Sequence, residues 1–366
     1  MSGPQPVVYL TVTNCLTYDQ RMYRICQTLH EEGFQVILVG IRRNDPLPDR
    51  PYRQIRLTSW FKKGKFFYLE NHIRLFFYLL TKKANLFVAN DLDTALPVWL
   101  VSRLRRIPRI LDTHEHFTEM KEVRTRPTIH RIWSILAQFL IPRFPIGYTV
   151  GEKIAARFKE LYGVSYVLVR NVPVKQPSIE RQENGEPFLL YPGAVNHGRG
   201  FETLIPAMRD IPYRLVICGD GNFMGALRAL LQREKVTEKV VLTGMVSPEE
   251  LRQWSLRATV GVFLPDQEGA NQYLGLANKF LDNIEAGLPQ IIRRFPEYEQ
   301  INQLYPVAIL LDDIHPKAVA ATVNRLIEDK NQRAAMTAAC YQAREVFCWE
   351  NEKNTLISLY KSVFVA

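Results

Sequence analysis

Apolar residues recur along this chain in short continuous blocks, each followed by a stretch with helical spacing. "VVYLTVT" (7–13) precedes a helical run from about Tyr18 to Glu32, and "FQVILVGI" (34–41) follows it. "NLFVAN" (85–90) leads into a helix near Thr94–Arg106, and "RILDTH" (109–114) into one around Ile129–Phe144. "IGYTVG" (146–151) leads into "EKIAARFKELYG" (152–163). Strands that are apolar at consecutive positions are covered on both faces, so the alternation predicts a doubly wound α/β domain with a parallel sheet.

The segment "VRNVPVKQPSIERQENGEP" (169–187), polar and broken by prolines, interrupts the pattern, which then restarts. Strand blocks at 188–193, 213–221, 239–246, 260–265, 289–294 and 307–312 alternate with helical stretches and predict a second doubly wound domain. "SPEE" (247–250) is a capping box that fixes one helix start, and helical runs Lys330–Phe347 and Trp349–Val365 close the chain. The expected division is a first domain over 1–170, a linker over 171–187 and a second domain over 188–348. In such sheets ligands bind beyond the carboxyl ends of the strands, so the residues just past each strand carry the candidate chemistry.

Composition narrows the setting. A chain of 366 residues with 47% hydrophobic content can bury two cores. There is no run of about 20 apolar residues to span a bilayer. The start "MSGPQPVVYLTVT" lacks a charged n-region and a cleavage site, so a signal peptide is not expected. Cys15, Cys26, Cys218, Cys340 and Cys348 are scattered and never spaced C-x-x-C, which points away from disulfides and zinc and toward a reducing cytoplasm. The net charge of +10 points to an anionic partner: nucleic acid, lipid headgroups or a phosphate-bearing substrate. No nucleic-acid recognition motif accompanies the charge.

In the second half, "PGAVNHGRGFETLIPAM" follows the first strand, with Gly193 and Gly200 bracketing Arg199 before a helix that starts near Phe201. Backbone N–H groups, a helix dipole and a guanidinium there suit a diphosphate. "CGDG" (218–221), with Gly219, makes a second tight turn, and the backbone of Met245 and Val246 in "GMV" is placed to border a flat base. "NKFLDNIEAGLP" (278–289) reads as a helix with Phe280, Leu281, Ile284 and Leu288 on its core arc. Lys279, Asp282, Asn283 and Glu285 crowd the other arc. Lys279 is expected to reach a phosphate and Asp282 to accept from two ribose hydroxyls, with Glu285 a polar neighbour.

These residues resemble the donor domain of retaining GT-B glycosyltransferases of family 4, the glycosyl transferases group 1. Gly193 to Gly200 fall on the family's "G-R-L-x-x-x-K-G" loop, with Ala194 where an arginine is usual and Arg199 where a lysine is usual. "NKFLD", from Asn278, resembles the family's "N-K-L-F-E-Y-x-A-A-G-L-P". Asp282 takes the second acid of E-x7-E, while the first would fall at Leu274. Glu268 and Asn271 in "DQEGANQY" are candidates to replace it.

The first half is similar to the acceptor domain. Asn14, Asp19 and Arg21 occupy the region of the family's Gly-Gly loop. "VANDLDTALP" (88–97) and "LDTHEHFTE" (111–119) resemble its later strand ends. His114 matches a histidine that lies beside the transferred sugar, flanked by Asp112 and Glu115, whereas His116 and His197 have no such match. Helix 349–366 resembles the one that crosses back to complete the first domain.

The fold so implied is GT-B: two Rossmann-like domains facing a cleft. The implied activity moves a sugar, with retention, from a UDP- or GDP-type donor to a hydroxyl acceptor in polysaccharide, glycolipid or cell-envelope glycan synthesis. Arg199, Lys279 and His114 would carry catalysis, with no metal or other cofactor, and domain closure would exclude water. Two rivals stand beside it. A GT-B sugar-nucleotide epimerase would change the donor without an acceptor. A non-catalytic nucleotide-sugar or polyanion binder would show no turnover.

The segment "WFKKGKFFYLENHIRLFFYLLTKK" (60–83) interleaves aromatics with lysines. It suits peripheral contact with the anionic inner face of a membrane, and equally a core helix with basic ends. The expected partners are therefore a nucleotide-sugar donor and a glycan or lipid-linked acceptor. Nucleic acid is not among them.

Overall fold

The computed structural model describes residues 5–177, 181, 185–267 and 269–364, and all of these side chains except that of Glu122. Parts of the expected linker (178–180 and 182–184), Glu268, residues 1–4 and residues 365–366 at the end of the expected helix 349–366 lie outside the described residues. The chain divides into two compact units. One comprises Met1–Asn171, Gly269–Asn271 and Asn351–Ala366, and the other Val172–Glu268 and Gln272–Glu350.

The first unit holds a seven-stranded sheet, ordered β3-β2-β1-β4-β5-β6-β7. Its strands are β1 (Val7–Thr11), β2 (Gln35–Ile41), β3 (Arg53–Leu57), β4 (Leu86–Asn90), β5 (Arg109–Thr113), β6 (Gly147–Thr149) and β7 (Val167–Leu168). Every pairing is parallel. The apolar blocks predicted as strands are β1, β2, β4, β5 and β6, and β1 and β4 are almost wholly buried, as two-sided cover requires. β3 and β7 went unpredicted because they are edge strands. β3 reads "RQIRL" and is only half-buried, so it lacks the apolar block that marks a covered strand.

Helices α1 (Gln20–Glu31), α2 (Gly64–Leu80) and α3 (Leu92–Arg105) follow β1, β3 and β4. Residues 60–83 are not a helix buried all round. In α2, Phe67, Asn71, Leu75 and Leu79 are buried, while Phe66, Leu69, Ile73 and Phe77 on the opposite side are exposed. The final helix, Trp349–Ser362, ends within this unit. There the Tyr360 hydroxyl lies 3.2 Å from that of Tyr148, and Lys361 pairs with Glu32 at 2.6 Å.

The second unit holds a six-stranded parallel sheet, ordered β10-β9-β8-β11-β12-β13. Its strands are β8 (Phe188–Pro192), β9 (Arg214–Cys218), β10 (Val240–Gly244), β11 (Val260–Phe263), β12 (Gln290–Arg293) and β13 (Ala308–Leu311). The predicted capping box is present: Ser247 accepts from the Glu250 N–H, and Glu250 accepts from the Ser247 N–H. In each sheet the strand order reverses beside the first strand of the unit, at β1/β4 and at β8/β11. Those switch points are where open α/β sheets place ligands.

Candidate functional site

At the β8/β11 switch point, the loop from Gly193 to Gly200 is shaped by close backbone approaches. Gly193 turns out of β8 with φ +101° and donates its N–H to the Cys218 carbonyl at 2.8 Å. A Cβ on Gly219 would stand 2.0 Å from the Gly193 carbonyl oxygen, and one on Gly200 would stand 1.8 Å from that of Leu264. Both glycines are therefore required by space, and Gly200, with φ +80°, by conformation as well. Side chains tie the loop down further. Asn196 accepts from the Asn222 N–H at 3.0 Å, and Asn222 accepts from the His197 N–H at 3.1 Å. The His197 ring packs edge-on against Phe223, so this histidine has a structural contact of its own.

The helix after the loop, Phe201–Ala207, is only seven residues long. Lys279 is mostly enclosed beside Gly193. Its Nζ donates to the Tyr191 hydroxyl at 2.9 Å and lies 4.0 Å from the Tyr191 ring centroid and 4.2 Å from that of Phe263. Burial holds the Lys279 amine well below its ordinary pKa; the nearby Arg199 charge adds to this and Asp282 opposes it. Arg199 is half-buried, and no carboxylate among the described residues pairs with it. Two cationic side chains thus stand at one glycine loop without a carboxylate bonded to either.

The helix carrying Lys279 runs Asn278–Glu285 and stops where Gly287 takes φ +69°. Asn278 and Asp282 are exposed on it. The polar arc read from the sequence is split, however, because Asn283 and Glu285 are buried. Asn283 donates to Gln290 at 3.1 Å, and Glu285 lies 3.5 Å from both Arg252 and Arg344. These partners come from other elements and convert two polar positions into core contacts. Met245 is 75% exposed, whereas the Val246 side chain packs on a cluster including Leu190, Val216 and Cys218. Asn271 belongs to the first unit, where it accepts from the His116 N–H at 2.7 Å. Glu268, the other candidate for the missing acid, lies outside the described residues.

At the β1/β4 switch point of the first unit, the predicted residues fall into two groups. Asn14, Asp19, Arg21 and Asp112 are bound into the fold. Asp19 caps α1 by accepting from the Met22 N–H at 2.9 Å, and Asn14 donates to Asp19 at 2.6 Å. Arg21 and Asp112 are buried and joined by two hydrogen bonds, of 3.1 and 2.8 Å. Arg21 also donates to the Val169 carbonyl at 3.1 Å.

His114 and the half-buried Glu115 lie just beyond β5. His114 Nε2 is 3.0 Å from Asp91 Oδ2, and the His114 backbone N–H donates to Asp91 Oδ1 at 3.2 Å. Burial works against the His114 charge, but the charge and hydrogen bond of Asp91, with help from Asp112, outweigh it and lift the imidazole to about 10. It is an imidazolium at neutral pH. His116, by contrast, is lowered by burial.

Sequence reasoning missed the partners Asp91 and Asp93. Asp91 holds φ +60°, uncommon for a residue with a side chain, at the start of α3. Asp93 is buried and accepts from the Thr13 hydroxyl. Burial and the neighbouring Asp91 charge push its carboxyl up to about 7, against the pull of Thr13 and His114. The two acids in "NDLD" after a strand block were the available signal.

Two family models match in tandem and cover most of the chain: "Glycosyltransferase Family 4" over residues 20–173 and "Glycosyl transferases group 1" over 175–343. The chain belongs to the group 1, family 4 glycosyltransferases. A D-inositol 3-phosphate glycosyltransferase of Corynebacterium urealyticum is 29% identical over 166 residues, 44% of this chain and 38% of that protein. The matched stretches span only 38% to 46% of the curated relatives they fall on. Among solved structures, a sucrose-phosphate synthase from Thermosynechococcus elongatus covers 99% of this chain and 100% of its own, with TM-score 0.82 at 16% identity. Anabaena HepE in complex with UDP covers 98% and 100%, with TM-score 0.74 at 12% identity. At these identities the likeness is one of fold, and the fold of this group 1, family 4 chain is GT-B: two Rossmann-like α/β domains. No helix among the described residues is long and apolar enough to cross a membrane.

Proposed function

We propose that this glycosyltransferase moves a sugar, with retention, from a UDP- or GDP-type nucleotide-diphosphate sugar to a hydroxyl acceptor on a glycan or lipid. The observation that carries this reading is the pair Arg199 and Lys279 at the Gly193–Gly200 loop, neither bonded to a carboxylate. Cations so arranged would hold the two phosphates and stabilise the charge that develops as the bond between sugar and phosphate breaks. Asp282, exposed one turn along from Lys279, would accept from the ribose hydroxyls. Backbone at Met245 and Val246 would border the base. On this reading the phosphate grip needs no divalent ion.

His114 would present an imidazolium donor to the transferred sugar, the role its family match implies. The half-buried His114 and Glu115 keep the acceptor-side assignment better than the buried Arg21–Asp112 pair, which would instead anchor β5 to α1. The setting would be cytoplasmic, at the inner face of a membrane, and the product a polysaccharide, glycolipid or cell-envelope glycan.

A thermal-shift screen against UDP, GDP, ADP and their sugar conjugates, with and without EDTA, tests the donor site. A nucleotide at a hundred times its dissociation constant stabilises the fold by about 2.7 kcal/mol. The expected result is a shift for one base, insensitive to EDTA and lost in Asp282→Ala. Absence of any shift with millimolar nucleotide would defeat the reading. Loss of the shift on adding EDTA would defeat its metal independence.

A further inference from the structure

The first unit carries a broad apolar face that its own fold leaves uncovered. On α2 the exposed Phe66, Leu69, Ile73 and Phe77 follow one another at three- and four-residue intervals, opposite the buried side of the helix. α3 packs beside α2 and the helix Pro127–Leu140 beside α3. Each repeats the pattern: Leu100 and Leu104 are exposed on α3, and Ile132, Ile135 and Phe139 on the third helix. On α2 and on the third helix the exposed stripe lies opposite the buried residues, while on α3 Leu100 and Leu104 are exposed toward the C-terminal end, past buried Asp93 and Pro97.

The loop before α2 adds to this face. Trp60 is 80% exposed, yet its backbone is fixed: Glu70 accepts from the N–H groups of Trp60 and Phe61 at 2.9 Å each. Arg74 pairs with Glu70 at 2.7 Å and lies over the Trp60 ring at 4.6 Å. Between loop and helix runs a groove of about 690 Å³ lined by Trp60, Phe61, Phe66, Leu69, Ile73 and Phe77.

Charge names the occupant. Exposed Lys62, Lys63 and Lys65 stand at one end of α2 and Lys83 at the other, with exposed Arg103, Arg106, Arg131 and Arg143 on or beside the neighbouring helices. The only carboxylates in the sequences of the three helices are Glu70, already paired, and Asp93, buried. We propose that this face docks on an anionic lipid bilayer. The apolar stripes and Trp60 enter the headgroup boundary, and the lysines and arginines meet lipid phosphates. A second copy of the chain fits poorly, since it would bring two positive rims together. The proposal deepens the peripheral location given above and does not depend on sugar transfer.

The test is flotation of the full-length protein with vesicles of phosphatidylcholine alone and of phosphatidylcholine mixed with phosphatidylglycerol. Binding is expected only to the anionic vesicles and is weakened by salt. It should fall about tenfold or more in Ile73→Glu/Phe77→Glu and in Lys62→Glu/Lys65→Glu. These positions are exposed, and an unchanged melting temperature would show that the fold is kept. Asp282→Ala should float like the unaltered protein, which separates this inference from the donor-site reading. No binding to anionic vesicles at low salt overturns it, as does binding that survives both double variants. A dimer in solution that Ile73→Glu/Phe77→Glu dissolves, without vesicle binding, would assign the face to a second copy instead.

Discussion

The Nζ of Lys279 lies 2.9 Å from the Tyr191 hydroxyl and 4.0 Å from the centroid of the same ring. The aromatic face and the hydroxyl together hold an amine that no carboxylate bonds, in a position where burial disfavours its charge. Such a group adds little to stability and much to anion binding. Lys279→Met should leave the midpoint of urea unfolding unchanged or slightly raised. It should weaken nucleotide-diphosphate binding about 10- to 100-fold, the range for one charge-assisted hydrogen bond. A large loss of stability with unchanged nucleotide affinity would place Lys279 in the scaffold instead.

The depressed Lys279 pKa has a second consequence. A diphosphate beside the amine favours its charged form, so binding should take up protons wherever the free amine is partly deprotonated. Affinity should then fall as pH rises toward the amine's ordinary range. Calorimetry in two buffers of different ionisation enthalpy reads the uptake directly. Lys279→Met should abolish it, and equal heats in the two buffers for the unaltered protein would contradict the mechanism.

Gly200 permits a sharp steric test. A methyl group there would enter the Leu264 carbonyl at 1.8 Å, on backbone that already holds φ +80°. Gly200→Ala should cost about 2–3 kcal/mol and distort the loop that carries Arg199. Gly225, where an added Cβ meets nothing within 4 Å, is the matched control. Similar unfolding midpoints for Gly200→Ala and Gly225→Ala would show that the loop is not constrained in this way.

The sheets were legible because their central strands are apolar blocks, and the tight loop after β8 because Gly193 and Gly200 punctuate the sequence. What escaped the sequence is what depends on partners distant along the chain. Arg21 and Asp112 are 91 positions apart, and nothing local shows that they neutralise each other in the core. Asp91 and His114 are 23 apart, and the positive φ that orients Asp91 leaves no mark in its residue type. Asn283 and Glu285 looked like part of a wet arc because a helical wheel shows one helix only. Gln290, Arg252 and Arg344, from other elements, make them interior.

Asp93 should leave a signature in the pH dependence of stability. Its folded carboxyl titrates near 7, raised by burial and by Asp91, against an ordinary value of 3.8. Between those values the folded state keeps a proton that the unfolded chain releases. Its contribution is therefore fully present below about pH 4 and lost as pH rises through 7, a swing on the order of 3–4 kcal/mol. Asn at this position resembles the protonated acid and can still accept from Thr13. Asp93→Asn should thus be tolerated and should flatten the loss of stability between pH 4 and 7. His114, raised to about 10, contributes a separate loss at higher pH, from about 6.5 upward, which Asp93→Asn should leave in place. Urea unfolding across this range separates the two. A curve for Asp93→Asn parallel to that of the unaltered protein from pH 4 to 7 would mean that Asp93 is ionised in the fold, with its charge met by His114.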